Sequence, residues 1–105
     1  MKRIWTLPDT IKKTIDIIAQ TARPAKIILF GSRARGTYRD NSDIDLCVVG
    51  KTCTEETWAK LLLSIQNDFH TLMKIDLVEY ELLTADYHNE IKKDGIIVYE
   101  SHTQF

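Results

Sequence analysis

The stretch AKIILFGSRARGTYRDNSDIDLCVV, residues 25–49, decides the fold because it places a polar loop between two apolar segments. Residues 25–30 form an apolar run of the kind that buried strands show. The run stops at Gly31-Ser32, where a turn can begin. Residues 43–49 return to an apolar pattern, so the sequence predicts two strands joined by a loop. The short connection predicts that these strands pair antiparallel.

The loop between these strands is basic and rich in turn-forming residues. Arg33, Arg35 and Arg39 carry its positive charge, and residues 40–42 (Asp-Asn-Ser) compete for backbone hydrogen bonds and so interrupt regular structure. At the start of the loop, the Gly-Ser turn exposes backbone N–H groups beside a hydroxyl and guanidinium groups. Such donors suit the oxygens of a phosphate chain. Because loops are commonly charged, solvation of each arginine is the competing interpretation.

The second predicted strand carries two aspartates on one face. Because side chains alternate along a strand, Ile44, Leu46 and Val48 point to one face while Asp43 and Asp45 point to the other. Two carboxylates this close disfavour each other's ionisation, and a hard divalent cation would neutralise them. For an isolated Asp-x-Asp a simpler interpretation exists, in which the first aspartate caps the turn and the second faces solvent. The preceding loop favours the metal.

Phosphate donors and carboxylates are predicted to meet at one edge of the sheet. Ten residues separate Ser32 from Asp43, which is enough chain to loop out and return beside the first strand. This arrangement suits a nucleoside triphosphate and its metal. The order of strand, Gly-Ser, loop and Asp-x-Asp on the next strand resembles the signature of the polymerase-beta-like nucleotidyltransferases. The wording GSRARG followed by SDIDL is similar to their minimal, single-domain branch.

The resemblance covers nearly the whole chain and implies a set of site residues. In the family, two strand carboxylates and a third on a later strand bind Mg²⁺, which implies metal-binding and catalytic roles for Asp43, Asp45 and Asp76. The glycine-serine pair holds the nucleotide phosphates, which implies that Gly31 and Ser32 bind the nucleotide.

The third carboxylate is the least constrained of these residues. The family pattern requires only an acidic residue in a strand after an intervening helix, and Asp76 meets it within Lys74–Val78. Glu79 is the nearest rival, but it shares a face with the apolar residues of that strand. Glu81 is the further alternative if Asp76 lies far from the other two aspartates.

The resemblance also implies an activity and a partner. The minimal branch resembles the antitoxin half of modules whose other half is a helical HEPN-type RNase. The implied reaction transfers AMP from ATP to a hydroxyl, expected to be a tyrosine of that toxin, with Arg33 and Arg35 steadying the phosphates. Two alternatives stay open: an antitoxin that binds nucleotide or partner without turnover, and a nucleotidyltransferase acting on a small molecule.

Three other classes fit the sequence less well. A P-loop would need Gly-Lys-Ser/Thr after Gly31, and the sequence lacks it. An EF-hand would need a glycine and a ligand at its twelfth position, whereas residues 40–45 run directly into a strand. A glycosyltransferase could use Asp-x-Asp on a nucleotide sugar, but we would expect a far longer chain.

The rest of the chain predicts three helices and two further strands. Helices are expected at Pro8–Thr21, after a cap formed either by Thr52 with Glu55 or by Thr54 alone, and at Thr84–Lys93, where Gly95 would serve a left-handed exit. Strands are expected at Lys74–Tyr80 and Ile96–Tyr99. This order predicts one α+β domain over residues 1–105, a polymerase-beta-like nucleotidyltransferase fold in which a small mixed sheet of about four strands packs with three helices.

Composition limits the location and the other partners. A formal net charge of −1 argues against direct nucleic-acid binding, although residues 1–42 hold 9 of the 14 Lys and Arg and only 3 of the 15 Asp and Glu. Two cysteines without a further metal-ligating set indicate a reducing compartment. With no signal pattern and no apolar run near ~20 residues, we expect a cytoplasmic protein without membrane contact. A homodimer remains open alongside the toxin complex.

Overall fold

A four-stranded sheet lies at the centre of the computed structural model, which describes residues 7–39, 43–66 and 74–101. The turn predicted at residues 40–42 lies outside the described residues. The elements in chain order are α1 (Asp9–Ala22), β1 (Lys26–Phe30), α2 (Ser32–Arg35), β2 (Ile44–Val49), α3 (Glu55–Gln66), β3 (Ile75–Glu79), α4 (Ala85–Asp94) and β4 (Ile96–Glu100).

The strand order of the sheet is β3-β2-β1-β4. As predicted, β1 and β2 pair antiparallel; β1 also pairs antiparallel with β4, whereas β2 and β3 are parallel. The mixed sheet and its helices confirm the predicted α+β fold class. Because β1 ends where β2 and β3 begin, the segment after β1 and the first residues of β2 and β3 share one edge of the sheet.

The two faces of the sheet are covered by different helices. On one face, Ile44, Leu46 and Val48 of β2 are fully buried in a core to which α1 and α3 contribute their apolar stripes. On the other face, Cys47 packs with Ile91 of α4 in a second, smaller cluster. The alternation predicted for β2 is therefore confirmed, and Asp45, two residues before Cys47, points to the face that α4 covers.

The caps of the first and third helices follow from local sequence. Pro8 precedes α1, and the helix ends at Arg23, whose φ of 47° is left-handed. Of the two caps predicted for α3, the structure shows the one at Thr54, whose hydroxyl accepts a hydrogen bond from the backbone N–H of Thr57 at 3.1 Å. Among the described helices, none combines the length and apolar character that crossing a membrane requires.

The segment predicted as a loop after β1 contains one helical turn, α2. The carbonyl of Gly31 accepts hydrogen bonds from the N–H groups of Ala34 and Arg35, each at 3.1 Å. Gly36 then ends the turn with a φ of 82°. The sequence Ser-Arg-Ala-Arg contains good helix formers between two glycines, which is why a turn forms there.

The left-handed exit predicted at Gly95 is wrong, because this residue has an extended backbone with φ −65° and ψ 145°. The glycine is needed for space instead. A Cβ built there would collide with the carbonyl oxygen of Ile91 and with the side chain of Ile28. Gly95 therefore lets the end of α4 approach β1 closely. The third strand also stops before Tyr80, which enters a 3-10 turn at Tyr80–Leu82.

Candidate active site

The three predicted aspartates lie at the shared edge of the sheet. In the strand register, the Cα partner of Asp45 is Phe30 in β1 on one side and Asp76 in β3 on the other. Neighbouring strands are ~4.8 Å apart, so Asp76 is next to Asp45 on the same face. Asp43, which was predicted as the first residue of the strand, lies one residue before β2, is exposed and is close enough to Asp45 to raise the pKa of that carboxylate. The structure thus brings together the residues that the sequence singled out.

The two rival carboxylates lie elsewhere. Glu79 is in register with Val48, at the far end of β2, and forms an ion pair with Lys51 at 3.4 Å. The carboxylate of Glu81 accepts a hydrogen bond from the N–H of Gly50 at 2.9 Å, also beyond the end of β2. Both are therefore engaged at the end of the strand pair opposite to Asp45.

Gly31 is fixed by its backbone and by its contact with Asp45. Its φ of 76° and ψ of −156° belong to a region that only glycine populates readily. A Cβ built on Gly31 would collide with the Asp45 carboxylate. The Gly-Ser turn and Asp45 are consequently packed directly together.

Asp45 lies in a strongly anionic environment. Its pKa is raised above the usual value for an aspartate, first by burial and then by the negative charges of Asp76, Asp43 and Glu90. The guanidinium of Arg35 partly offsets these effects and lowers the pKa. A carboxylate that is costly to ionise in the ligand-free fold is a good position for a bound cation.

The carboxylates are neighbours but do not form a finished metal cage. Lys74 forms an ion pair with Asp76 at 3.5 Å, and the Asp76 side chain is 41% exposed. Within the described ranges, no group of three or more His, Cys, Asp or Glu side chains is arranged to hold a metal ion. The donor set itself fits Mg²⁺, which binds carboxylate oxygens.

The two predicted phosphate-binding arginines have different surroundings. Arg33 is buried, with its guanidinium 4.3 Å from the centre of the Tyr38 ring and Nη2 donating to the carbonyl of Arg39 at 3.4 Å. Arg35 is exposed, and its Nη1 lies 3.4 Å from Glu90 Oε2. Arg33 therefore holds the loop after α2 through its contacts with Tyr38 and Arg39. Arg35 is exposed and lies close enough to Asp45 to lower the pKa of that carboxylate.

Sequence reasoning missed Glu90. It lies on α4, 55 positions from Arg35, yet it contacts that arginine and acts electrostatically on Asp45. One acidic residue in the charged helix sequence ADYHNEIKKD carries no local signal. Only the packing of α4 on the aspartate face of the sheet brings it to this edge.

A cavity of about 660 Å³ lies at the opposite end of the sheet. Its lining includes Asp16 and Arg23 near the end of α1 and Tyr99 near the end of β4. None of the predicted site residues lines it. The carboxylate edge, rather than this cavity, carries the arrangement that the sequence predicted.

A strand ending in Gly-Ser, a helical turn and carboxylates on two adjoining strands define a nucleotidyltransferase type of site. The family model of polymerase beta nucleotidyltransferases matches residues 12–104, and the chain belongs to that family. The comparison confirms both the recognised family and its fold.

Similar proteins point to the minimal branch of the family. A Methanocaldococcus jannaschii protein, provisionally named a protein adenylyltransferase, is 31% identical over 80 residues, covering 73% of this chain and 80% of its own. A solved toxin–antitoxin complex with AMP-PNP contains a chain with a TM-score of 0.65 at 22% identity, covering 87% of this chain and 74% of that one.

A second solved structure is a tri-AMPylated HEPN toxin from Shewanella oneidensis in complex with an MNT antitoxin. Its matching chain has a TM-score of 0.56 at 19% identity, and the match covers 86% of this chain and 72% of that one. These two structural likenesses show a shared fold. The family match and the curated relative support nucleotidyl transfer as the kind of activity.

Proposed function

We propose that this protein transfers AMP from ATP to a hydroxyl group of a HEPN-type toxin, in a reaction that requires Mg²⁺. The observation that carries the proposal is the register of the sheet. It places Asp76 beside Asp45, and Asp45 directly against Gly31. Phosphate donors and carboxylates therefore meet at one point, as in-line displacement at a phosphate requires.

Asp43, Asp45 and Asp76 are the proposed metal ligands. Bound Mg²⁺ would neutralise the triphosphate and make the acceptor hydroxyl a better nucleophile. The protein's own contribution is to hold Asp45 and Asp76 in register on β2 and β3, with Asp43 just before β2, so that their repulsion favours a cation. The ion pair of Asp76 with Lys74 would have to open for this, and an exposed ion pair of that kind contributes only about 0–1 kcal/mol.

The turn after β1 is the proposed phosphate cradle. The N–H groups of Ala34 and Arg35 already donate to the carbonyl of Gly31, so the N–H of Ser32, at the start of the turn, is the proposed backbone donor to phosphate oxygens. Gly31 permits the close approach, and the Ser32 hydroxyl adds a donor. Arg35 is the better placed of the two arginines to contact phosphate, because Arg33 is buried against Tyr38.

The transfer itself is a single displacement at phosphorus. The oxygen of the acceptor hydroxyl forms a bond to the α-phosphorus while the bond from that phosphorus to the bridging oxygen of the β-phosphate breaks. Pyrophosphate leaves with the electron pair. Asp76 is the proposed acceptor of the hydroxyl proton, because it lies on β3, an edge strand of the sheet, and its side chain is 41% exposed.

A protein acceptor is supported by the openness of the site and by the relatives. Asp43 is exposed, and Asp76 is half exposed, so a macromolecular hydroxyl can reach both. The relative at 31% identity carries a protein adenylyltransferase name, and one structural neighbour is bound to an AMPylated HEPN toxin. A tyrosine is the proposed acceptor on the toxin, since AMP would mask it with a bulky anionic group.

A second function deserves a test, namely inhibition of the toxin by binding without transfer. The observation favouring it is that the Asp76 carboxylate is paired with Lys74. In that case the carboxylates would serve nucleotide binding alone.

Calorimetry with ATP tests the proposed site. We expect binding in the presence of Mg²⁺ and little binding in EDTA, and we expect the Mg²⁺ dependence to disappear in Asp43→Asn combined with Asp45→Asn. Asp76→Asn should weaken the metal-dependent binding, whereas Glu79→Gln, the matched change on the opposite face of the same strand, should leave it unchanged. Equal ATP binding with Mg²⁺ and with EDTA would contradict the metal site.

A further inference from the structure

An ion pair connects α4 to the helical turn that follows β1. The Arg35 Nη1 atom lies 3.4 Å from Glu90 Oε2, and the two side chains are 42% and 37% exposed. Exposed pairs of this kind contribute little to stability. The structural role of the contact is therefore small, although it joins two elements that flank the carboxylate edge.

The position of Glu90 is set by the packing of its helix. The next residue, Ile91, is buried in the cluster on the aspartate face of the sheet. Gly95 allows the end of α4 to approach β1, because any Cβ there would meet Ile28. With the helix fixed in this way, Glu90 faces Arg35 and lies close enough to Asp45 to act on its charge.

We propose that Glu90 is a positioning residue, which holds the guanidinium of Arg35 toward the phosphates of the bound nucleotide. This inference rests on the proposed function. A guanidinium has five N–H donors, and contact through Nη1 leaves donors for a phosphate oxygen. An unrestrained arginine loses rotamer entropy when it binds, and a partner that orients it beforehand reduces that loss.

The negative charge of Glu90 has two possible effects on ATP affinity, and they are opposite in direction. A carboxylate near the site would by itself repel an anionic nucleotide, so removing its charge should strengthen ATP binding. If Glu90 acts by holding Arg35, removing it should weaken ATP binding instead. The two interpretations predict opposite changes for the same substitution.

The experiment is a double-mutant cycle on MgATP affinity, measured by calorimetry for wild type, Glu90→Gln, Arg35→Gln and the double variant. We expect Glu90→Gln to weaken binding about three- to tenfold, and Arg35→Gln about tenfold or more, as for loss of a charge-assisted hydrogen bond. The double variant should bind no more weakly than Arg35→Gln alone. In the transfer reaction, Glu90→Gln should raise KM for ATP and leave kcat nearly unchanged.

Asp86→Asn is the matched control, since it removes one negative charge from α4 at an exposed position in its first turn. It should leave MgATP affinity unchanged, and all variants should melt near the wild-type temperature. Unchanged or tighter binding by Glu90→Gln, or losses that multiply in the double variant, would overturn the positioning role while wild-type binding upheld the proposed function. A wild-type protein that binds no MgATP would refute both.

Discussion

Asp45→Asn should stabilise the ligand-free protein at neutral pH, although it removes a proposed metal ligand. Two unit charges at the ~5 Å between side chains of adjacent strands repel by about 0.8 kcal/mol in water and by about 3 kcal/mol at an effective dielectric constant near 20. Asp45 is only partly buried and Arg35 offsets part of the repulsion. We therefore expect a gain of about 1 kcal/mol in the free energy of unfolding.

The gain should depend on pH in a defined direction. Because the pKa of Asp45 is raised in the folded protein, the folded state holds the proton more tightly than the unfolded state does. Wild type consequently loses stability as the pH rises from near 4 through the folded pKa, and the deficit persists at neutral pH. The asparagine variant cannot ionise, so its advantage should be present at pH 7.5 and vanish near pH 4.

Urea unfolding of wild type and Asp45→Asn at both pH values measures this difference. Asp16→Asn, the same chemical change at an exposed position on α1, is the control and should show no comparable gain. An asparagine variant less stable than wild type at pH 7.5 would refute the reasoning. It would mean that the Asp45 carboxylate stabilises the ligand-free fold.

Three further predictions concern the Gly-Ser turn, the two arginines of α2 and the buried cysteine of β2. Gly31→Ala should cost about 1–3 kcal/mol of stability and abolish MgATP binding, because the φ of Gly31 is 76° and the new methyl group displaces the Asp45 carboxylate. Gly36→Ala is the control: its surroundings are open, so it should bear only the cost of the left-handed backbone and keep MgATP binding. Arg33→Met should lower stability by about 1–2 kcal/mol, because the buried guanidinium no longer stacks on the Tyr38 ring. Arg35→Met should change stability by less than about 1 kcal/mol and weaken ATP binding. Equal stability losses for the two variants in a urea titration would contradict this contrast. Burial, with a smaller effect of the nearby Glu81, raises the pKa of Cys47 to about 12. Its thiol should therefore resist alkylation at pH 8 in the native protein and react in urea, which the intact mass would show. Rapid labelling of both cysteines in the native protein would contradict the buried position of Cys47.

Local patterns in the sequence carried most of the fold. Period-two alternation placed Ile44 and Leu46 in the core and Asp45 on the opposite face, and the structure agrees because burial on one face fixes the register of a strand. The three longer helices followed from apolar spacing and from caps such as Thr54. These features depend on neighbours in sequence, which is why reading the chain locally was sufficient.

The errors and omissions arose where nonlocal packing decides. Gly95 was expected to adopt a left-handed conformation, but the approach of α4 to β1 sets its extended backbone. The helical turn Ser32–Arg35 was expected as a loop, since four residues are too few for a periodic pattern. Glu90 reaches the site only through a contact across 55 positions. The grouping of Asp76 with Asp45 was correct, yet it relied on the family resemblance, since nothing local to β3 indicates the parallel register.

The proposed transfer of AMP from ATP to a partner protein would change the mass of that partner, so intact-mass measurement of the partner tests the proposal directly. A HEPN-type toxin would be co-expressed with this protein, either wild type or Asp43→Asn, and its intact mass measured after purification. The account predicts mass increases in steps of one AMP with wild type, located on tyrosine, and none with Asp43→Asn. A partner that is inhibited but unchanged in mass would contradict transfer and leave inhibition by binding.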